Sequence, residues 1–184
     1  MNPITINTGI LNTAQFIASP NCNQRPNSEV SLLVIHNISL PPGKFGGPWI
    51  THLFTNQLDP TANPYFTSIF QLEVSSHLLI QRDGHVIQYV PFDQRAWHAG
   101  QSEFQGRENC NDFSVGIELE GTDTMAYEPI QYEVLAQITQ QLMLEYPKIT
   151  KGRITGHENI APGRKTDPGS AFDWPRYFSL IESA

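Results

Sequence analysis

Residues 77–90, HLLIQRDGHVIQYV, constrain the fold more than any other segment, because two strand-like apolar runs flank Asp83-Gly84. An Asp-Gly dipeptide supplies the positive φ angles that a tight two-residue hairpin requires. The segment therefore predicts two antiparallel strands that are adjacent in sequence.

Two further runs predict strands at a distance from this hairpin. Residues 31–37, SLLVIHN, are typical of a buried strand that enters a loop, so His36 is expected at a strand's exit. Residues 112–121, DFSVGIELEG, alternate with period two, which places Glu118 and Glu120 on one face. Alternation alone favours a solvent-facing surface for both glutamates.

Apolar residues recur every four positions between Pro129 and about Tyr146, which predicts an amphipathic helix. They are Ile130, Val134, Ile138 and Leu142, and Leu135 and Met143 widen the stripe. Shorter helices are predicted within 48–57 and from Pro175, whereas 91–111 lacks periodicity and predicts a long functional loop or lid. Together these patterns predict an α/β fold, a single domain over 1–184 with a central mixed β-sheet flanked by helices.

Composition excludes several classes of function. The net charge of -7, with no basic run longer than Arg164-Lys165, argues against nucleic-acid binding. No apolar run approaches the roughly 20 residues that span a bilayer. The first sixteen residues do not read as a secretory signal, so a cytoplasmic location is expected, with Cys22 and Cys110 as free thiols.

Residues 155–169, TGHENIAPGRKTDPG, concentrate ionisable groups in a stretch rich in Gly and Pro. Such a loop can fold back and bring His157 and Asp167 to one centre. A catalytic zinc ion takes three protein ligands and leaves one position open, so a third ligand is needed.

The third ligand stays open among His36, His52, His77, His85 and His98, with His36 favoured because it leaves a buried strand. His77 is expected to be a partly buried structural residue and His85 to be solvated near the hairpin turn. His98 is expected in a substrate loop.

A zinc hydrolase also needs a carboxylate base and a group that stabilises the oxyanion, and Glu118 and Lys165 are the candidates. Partial burial of Glu118 would raise its pKa towards a range useful for a general base.

Five segments carry a resemblance to a known family. They are DFSVGIELEGTD, GHENIAPGRKTDPGSAFDW, ISLPPGKFGGPWI, NPYF and VPFDQRAWHAG. The chain resembles, from about residue 14 to 180, the AmpD family of cytosolic zinc-dependent 1,6-anhydro-N-acetylmuramoyl-L-alanine amidases.

The resemblance implies an amidase-2 fold, of the peptidoglycan-recognition type, and a complete set of site residues. The implied zinc ligands are His36, His157 and Asp167, the catalytic groups Glu118 and Lys165, and the substrate-binding residues Asn37, Trp97, Arg107 and Arg164. Glu73 and Asn109 stand where relatives are expected to carry basic residues, which removes positive charge from the substrate groove.

The implied reaction is hydrolysis of the amide between anhydro-muramic acid and L-alanine during cytoplasmic recycling of wall fragments, by a monomer that acts on a small soluble substrate. By implication it depletes inducers of β-lactamase. Three other functions remain open: a non-catalytic muropeptide-binding module, an amidase acting on polymeric wall, and a protein with a purely structural zinc ion.

Overall fold

The computed structural model describes residues 4–182. The strands are β1 (Ile6–Asn7), β2 (Ile10–Leu11), β3 (Gln15–Phe16), β4 (Cys22–Gln24), β5 (Leu32–Ile38), β6 (Leu78–Ile80), β7 (Val86–Gln88), β8 (Gln94–Ala96), β9 (Glu103–Phe104), β10 (Arg107–Glu108), β11 (Ser114–Glu120) and β12 (Ile154–Gly156). The helices are α1 (Trp49–Phe54), α2 (Pro129–Glu145), α3 (His157–Ile160) and α4 (Trp174–Glu182).

A six-stranded sheet forms the centre of the molecule, in the order β12-β5-β11-β6-β7-β3. The first four strands in this order run parallel to one another, whereas β7 runs antiparallel to β6 and parallel to β3. The predicted mixed sheet is therefore confirmed. The long strands β5 and β11 lie side by side in its interior, and β12 is at an edge.

Side chains alternate between two buried layers across this sheet. Val115, Ile117 and Leu119 of β11 join α2 and α4 in one hydrophobic cluster. The intervening residues, including Glu118, point to the opposite face, where α1 and the residues around Phe66 form a second cluster. Because both faces are covered, β11 is buried along its whole length.

The hairpin predicted at 77–90 exists, but its turn differs from the predicted two-residue form. The N–H of Gln81 donates to the carbonyl of His85, so the loop between these residues contains three residues. Gly84 alone in the loop has a positive φ, at +85°. Asp83 instead accepts the N–H of His85 through its side chain, which accounts for the wider turn.

Helix α2 has the predicted length, and Leu135, Ile138 and Leu142 of the predicted stripe are buried, but the stripe does not stay on the buried face in the first turn. Each four-residue step rotates about 40° around a helix, so three steps carry a stripe about 120° away from its starting face. Ile138 is fully buried, whereas Ile130 is 39% exposed. Gln131 faces the sheet in its place and donates to the carbonyls of Ile80 and Glu120.

The segment 91–111 is more ordered than a loop or lid. It contains β8, which pairs with β4, and the two-stranded ribbon of β9 and β10. These strands are two or three residues long, too short for periodicity to reveal. Among residues 4–182, no helix is both long and apolar enough to cross a membrane.

Candidate active site

The carboxyl ends of three parallel strands bring the candidate ligands and base together. His36 lies near the end of β5, directly beside Glu118 on β11 in the register of the two strands. His157 follows the last residue of β12, which also pairs with β5. Parallel strands present their carboxyl ends at one edge of a sheet, where sites are commonly built.

Three potential metal ligands converge at this edge. The Nδ1 atoms of His36 and His157 are 2.9 Å apart, and each is 3.0 Å from Oδ2 of Asp167. Among the described residues, these are the His, Cys, Asp and Glu side chains that cluster closely enough to hold a metal ion. The separations are close to the roughly 3.3 Å edges of a tetrahedral zinc site with bonds of about 2.0–2.1 Å.

The loop between His157 and Asp167 is closed by its backbone. The N–H of Glu158 donates to the carbonyl of Asp167 at 2.8 Å, which returns the chain to its starting point after ten residues. The amide of Asn37 donates to the carbonyl of Pro168 at 3.1 Å and to Asp123 at 2.8 Å. Asn37 thus ties the Asp167 loop to the end of β5.

Electrostatics favour the protonation states that bind a cation. Burial would raise the pKa of Asp167, but hydrogen bonds from His157 and His36 outweigh it and hold that pKa well below its usual range. Burial lowers the pKa of His36 to about 4, despite the opposing effect of Asp167. The site therefore offers a carboxylate and a neutral imidazole at neutral pH.

Glu118 is buried beside this cluster, at 8% exposure, rather than lining a solvent-facing strand. Its Oε2 has no hydrogen-bond partner. Burial, with a smaller contribution from Asp167, raises the pKa of the carboxyl well above its usual range. Glu120 shares the face and is also buried, but it accepts the N–H groups of Gly46 and Arg82.

A cavity of about 370 Å³ contains the cluster and Glu118. Lys165 and Trp97 line it, so the structure brings both to the predicted site. Most of the other lining residues are apolar, whereas Asn37, Ser39, Ser75 and His98 add polar atoms. The apolar residues are Ile38, Leu40, Pro42, Leu53, Phe54, Tyr65, Ile69, Leu72 and Val74. The arrangement suits a ligand that has both an apolar surface and several polar groups.

The other three residues predicted to bind substrate have partners within the protein. Asn37 lines the cavity while its amide holds the Asp167 loop. Arg164 donates to the carbonyls of Ala99 and Gln101 and lines a different cavity of about 640 Å³. Arg107 lies outside both cavities, where it pairs with Glu29 and stacks on the ring of Phe113.

The remaining four histidines differ in burial and in their contacts. His85 is exposed, as expected, and His52 lies on α1 with its ring against Trp49. His77 is fully buried, and its ring nitrogens bond the backbone of Gly116 and Gln94, which makes it structural. His98 contacts the candidate ligand His36 directly, a contact that spacing along the sequence could not reveal.

Comparison with known proteins identifies close relatives. The family described as N-acetylmuramoyl-L-alanine amidase matches residues 26–170. The 1,6-anhydro-N-acetylmuramyl-L-alanine amidase AmpD of Salmonella typhimurium (strain SL1344) is 61% identical over 174 residues, which cover 94% of this chain and 92% of the relative.

Solved structures agree with the sequence comparison. A crystal structure of a Se-Met AmpD derivative is 59% identical, with a TM-score of 0.94, and the match covers 96% of this chain and 98% of that one. The amidase AmiD of E. coli, in complex with the substrate anhydro-N-acetylmuramic acid-L-Ala-D-γ-Glu-L-Lys, is 26% identical with a TM-score of 0.60. That match covers 98% of this chain and 66% of AmiD.

Proposed function

The chain belongs to the N-acetylmuramoyl-L-alanine amidase family, and from this membership we propose that it hydrolyses the amide between 1,6-anhydro-N-acetylmuramic acid and the L-alanine of a stem peptide. One observation carries the proposal. His36, His157, Asp167 and an unpartnered buried Glu118 meet in a single cavity.

The metal in this proposal is zinc, held by His36, His157 and Asp167. Two imidazole nitrogens and one carboxylate oxygen are a donor set that zinc accepts, and three protein ligands leave a position for catalysis. When bound, zinc acts as a Lewis acid that polarises a carbonyl and acidifies water.

Glu118 is the general base in the proposed mechanism. Its buried carboxylate accepts a proton from the attacking water, and the same oxygen then returns the proton to the departing alanine amine. The raised pKa suits both steps, because the carboxyl can hold the proton between them. No second acid is needed.

Lys165 stabilises the negative charge that develops on the scissile carbonyl oxygen. Lys165 lines the same cavity as Asp167 and Glu118. A cation is effective here because the charge appears in a partly enclosed site, where its interactions are screened less than in water.

The apolar wall and Trp97 support binding of the sugar and peptide. An indole face packs against the apolar face of a sugar ring, while polar groups orient the bond that is cleaved. For Asn37 and Arg164 we propose a combined role, in which each shapes the groove through its backbone contacts and offers its remaining polar atoms to substrate. The position of Arg107 supports no such role.

We further propose that the protein acts as a monomer in the cytoplasm, on soluble wall fragments released for recycling. Removing the peptide would also lower the level of anhydro-muropeptides that induce β-lactamase. Size-exclusion chromatography with light scattering tests whether the protein is a monomer, and a mass near that of one chain is expected.

The reaction itself is tested with purified anhydro-muropeptide and mass spectrometry of the products. We expect free stem peptide and free anhydro-sugar, whose release stops with a chelator and returns with zinc. Intact sacculi serve as the competing substrate. Preference for the polymer would instead indicate a wall-lytic enzyme, and zinc binding without peptide release would leave a binding module.

A further inference from the structure

Both histidine ligands direct Nδ1 toward the cluster and Nε2 away from it. Their Nδ1 atoms face each other and Asp167, so their Nε2 atoms point outward. Nε2 of His36 is 2.9 Å from Nδ1 of His98, and Nε2 of His157 is 3.2 Å from the carbonyl oxygen of Ala99. Two adjacent residues of one segment thus contact both ligands.

The proton positions around His36 follow from the chemistry of each partner. A histidine that binds a metal through Nδ1 is neutral and carries its hydrogen on Nε2, so His36 donates to His98. Nδ1 of His98 must then accept, which leaves the His98 hydrogen on Nε2. That atom is 3.0 Å from the hydroxyl oxygen of Ser114, which can accept it. The Ala99 carbonyl can only accept, so His157 also donates from Nε2.

The backbone of His98 and Ala99 is itself fixed. The side-chain oxygen of Asn111, a buried residue, accepts the N–H of His98 at 3.1 Å and that of Ala99 at 2.8 Å. A single amide therefore sets where both contacts to the ligands lie. The carbonyl of Ala99 also accepts from Arg164 at 2.6 Å.

Strand β11 provides the space that the His98 ring occupies. A Cβ atom at Gly116 would lie 2.5 Å from that ring, closer than real side-chain atoms approach one another. The rings of His98 and His36 meet edge to face, at 90° with centroids 5.0 Å apart. Gly116 is thus required for His98 to reach His36.

We propose that the pair His98-Ala99 orients both histidine ligands of the metal, with His98 as a positioning residue that fixes the ring and the tautomer of His36. This inference rests on the proposed metal site. Partners that hold the outer nitrogen of a ligand typically change metal affinity by about 10–100-fold when removed. His98 does not act as a ligand, because its Nδ1 faces the outer side of the His36 ring.

The test compares His98→Leu with His98→Asn. The two replacements have similar shape, but asparagine keeps an acceptor oxygen near the place of Nδ1 whereas leucine has none. Zinc affinity is measured by competition with a chromophoric chelator. We expect leucine to weaken affinity by about 10–100-fold and asparagine to restore most of it. His85→Leu, at an exposed histidine, is the control and should bind like wild type.

A second pair of variants displaces the ring without removing it. Gly116→Ala should lower zinc affinity, whereas Gly152→Ala, where nothing lies within 4 Å of the added Cβ, should not. If the His98 variants do not fold, nitrogen NMR of the zinc-loaded wild-type protein still decides. The proposal requires a neutral His98 with its hydrogen on Nε2 and a slowly exchanging Nε2 hydrogen on His36.

The outcomes are separable from those of the proposed function. Failure of the wild-type protein to bind zinc would overturn the proposed metal site itself. If wild type and His98→Leu bind zinc equally, or if His98 carries its hydrogen on Nδ1, the metal site stands and the orienting role is overturned. Equal weakening by leucine and asparagine would show that ring packing, not the acceptor, is what matters.

Discussion

At the scale of single residues, Glu118 and Glu120 differ in one respect that decides their chemistry. They occupy the same face of β11 and both are buried. Glu120 accepts two backbone N–H groups, whereas an oxygen of Glu118 has no partner. A carboxylate already used by the backbone holds structure, and one left free in a cavity is available for proton transfer.

Replacing Glu118 by glutamine should therefore lower kcat by about 10²–10⁴-fold, because an amide cannot accept the proton. Glu120→Gln, at the matched position on the same strand, should keep turnover within the same order of magnitude. Steady-state assays with anhydro-muropeptide measure both, with zinc content determined in parallel. Full turnover by Glu118→Gln would remove Glu118 from the mechanism.

The substitution Glu118→Gln should also stabilise the metal-free protein. Because the pKa of Glu118 is raised in the folded state, its contribution to stability is present below the ordinary glutamate pKa of about 4.3 and is lost as pH rises through the raised value. Glutamine does not titrate and so loses no stability as pH rises. We therefore expect Glu118→Gln to raise the free energy of unfolding at pH 7 by about 1 kcal/mol.

Urea unfolding of chelated wild-type and Glu118→Gln proteins from pH 4 to 8 tests this expectation. The difference in unfolding free energy should grow with pH. A constant difference across this range would mean that burial does not disfavour the charged form of Glu118.

The sequence identified the residues at this scale but not their surroundings. The period-two alternation correctly placed Glu118 and Glu120 on one face, yet it did not indicate that other parts of the chain bury this face. Coverage comes from α1 and the residues around Phe66, which precede β11 by about fifty to sixty residues of chain. Likewise, spacing could not distinguish His98 from the other histidines, since its contact with His36 spans 62 positions.

At the scale of secondary structure elements, α2 shows how an apolar repeat can predict the buried face over most of a helix and miss it in the first turn. The apolar repeat predicts the helix and its ends, because Pro129 and Pro147 bound it. The orientation is decided by tertiary contacts, in which Gln131 bonds two carbonyls at the ends of β6 and β11. A polar residue at a buried position has no signal in an apolar repeat.

Two equal truncations on α2 measure the difference. Ile138→Ala removes a fully buried side chain and should cost about 2–5 kcal/mol, whereas Ile130→Ala, at 39% exposure, should cost at most about 1 kcal/mol. Urea unfolding monitored by circular dichroism gives both values. Equal costs would contradict the orientation of α2 described above.

At the scale of the whole molecule, the metal would join parts of the chain that are distant in sequence. His36 is 131 positions from Asp167, and each belongs to a different element or loop. A ligand that binds only the folded state stabilises it by about 2.7 kcal/mol at one hundred times its dissociation constant. For a chain of this length each kcal/mol raises the unfolding midpoint by about 2–4 °C.

Zinc should therefore raise the thermal midpoint by about 5–10 °C relative to chelated protein. Asp167→Ala should abolish most of that difference, and His85→Leu should leave it intact. Scanning fluorimetry with and without chelator measures these shifts. Identical midpoints for chelated and zinc-loaded wild type would argue against a metal that bridges these segments.

Strand β12 is at the edge of the sheet, pairs with β5 alone, and is followed at once by His157. A strand that is bonded on one side only opens locally at a lower free energy than the central strands, and within β12 only Ile154 belongs to the core cluster of α2 and the sheet. Metal exchange would then be governed by fraying of this edge rather than by unfolding. The apoprotein is in that case a folded species that can be reloaded, so that the supply of metal ions controls how much of the enzyme is active.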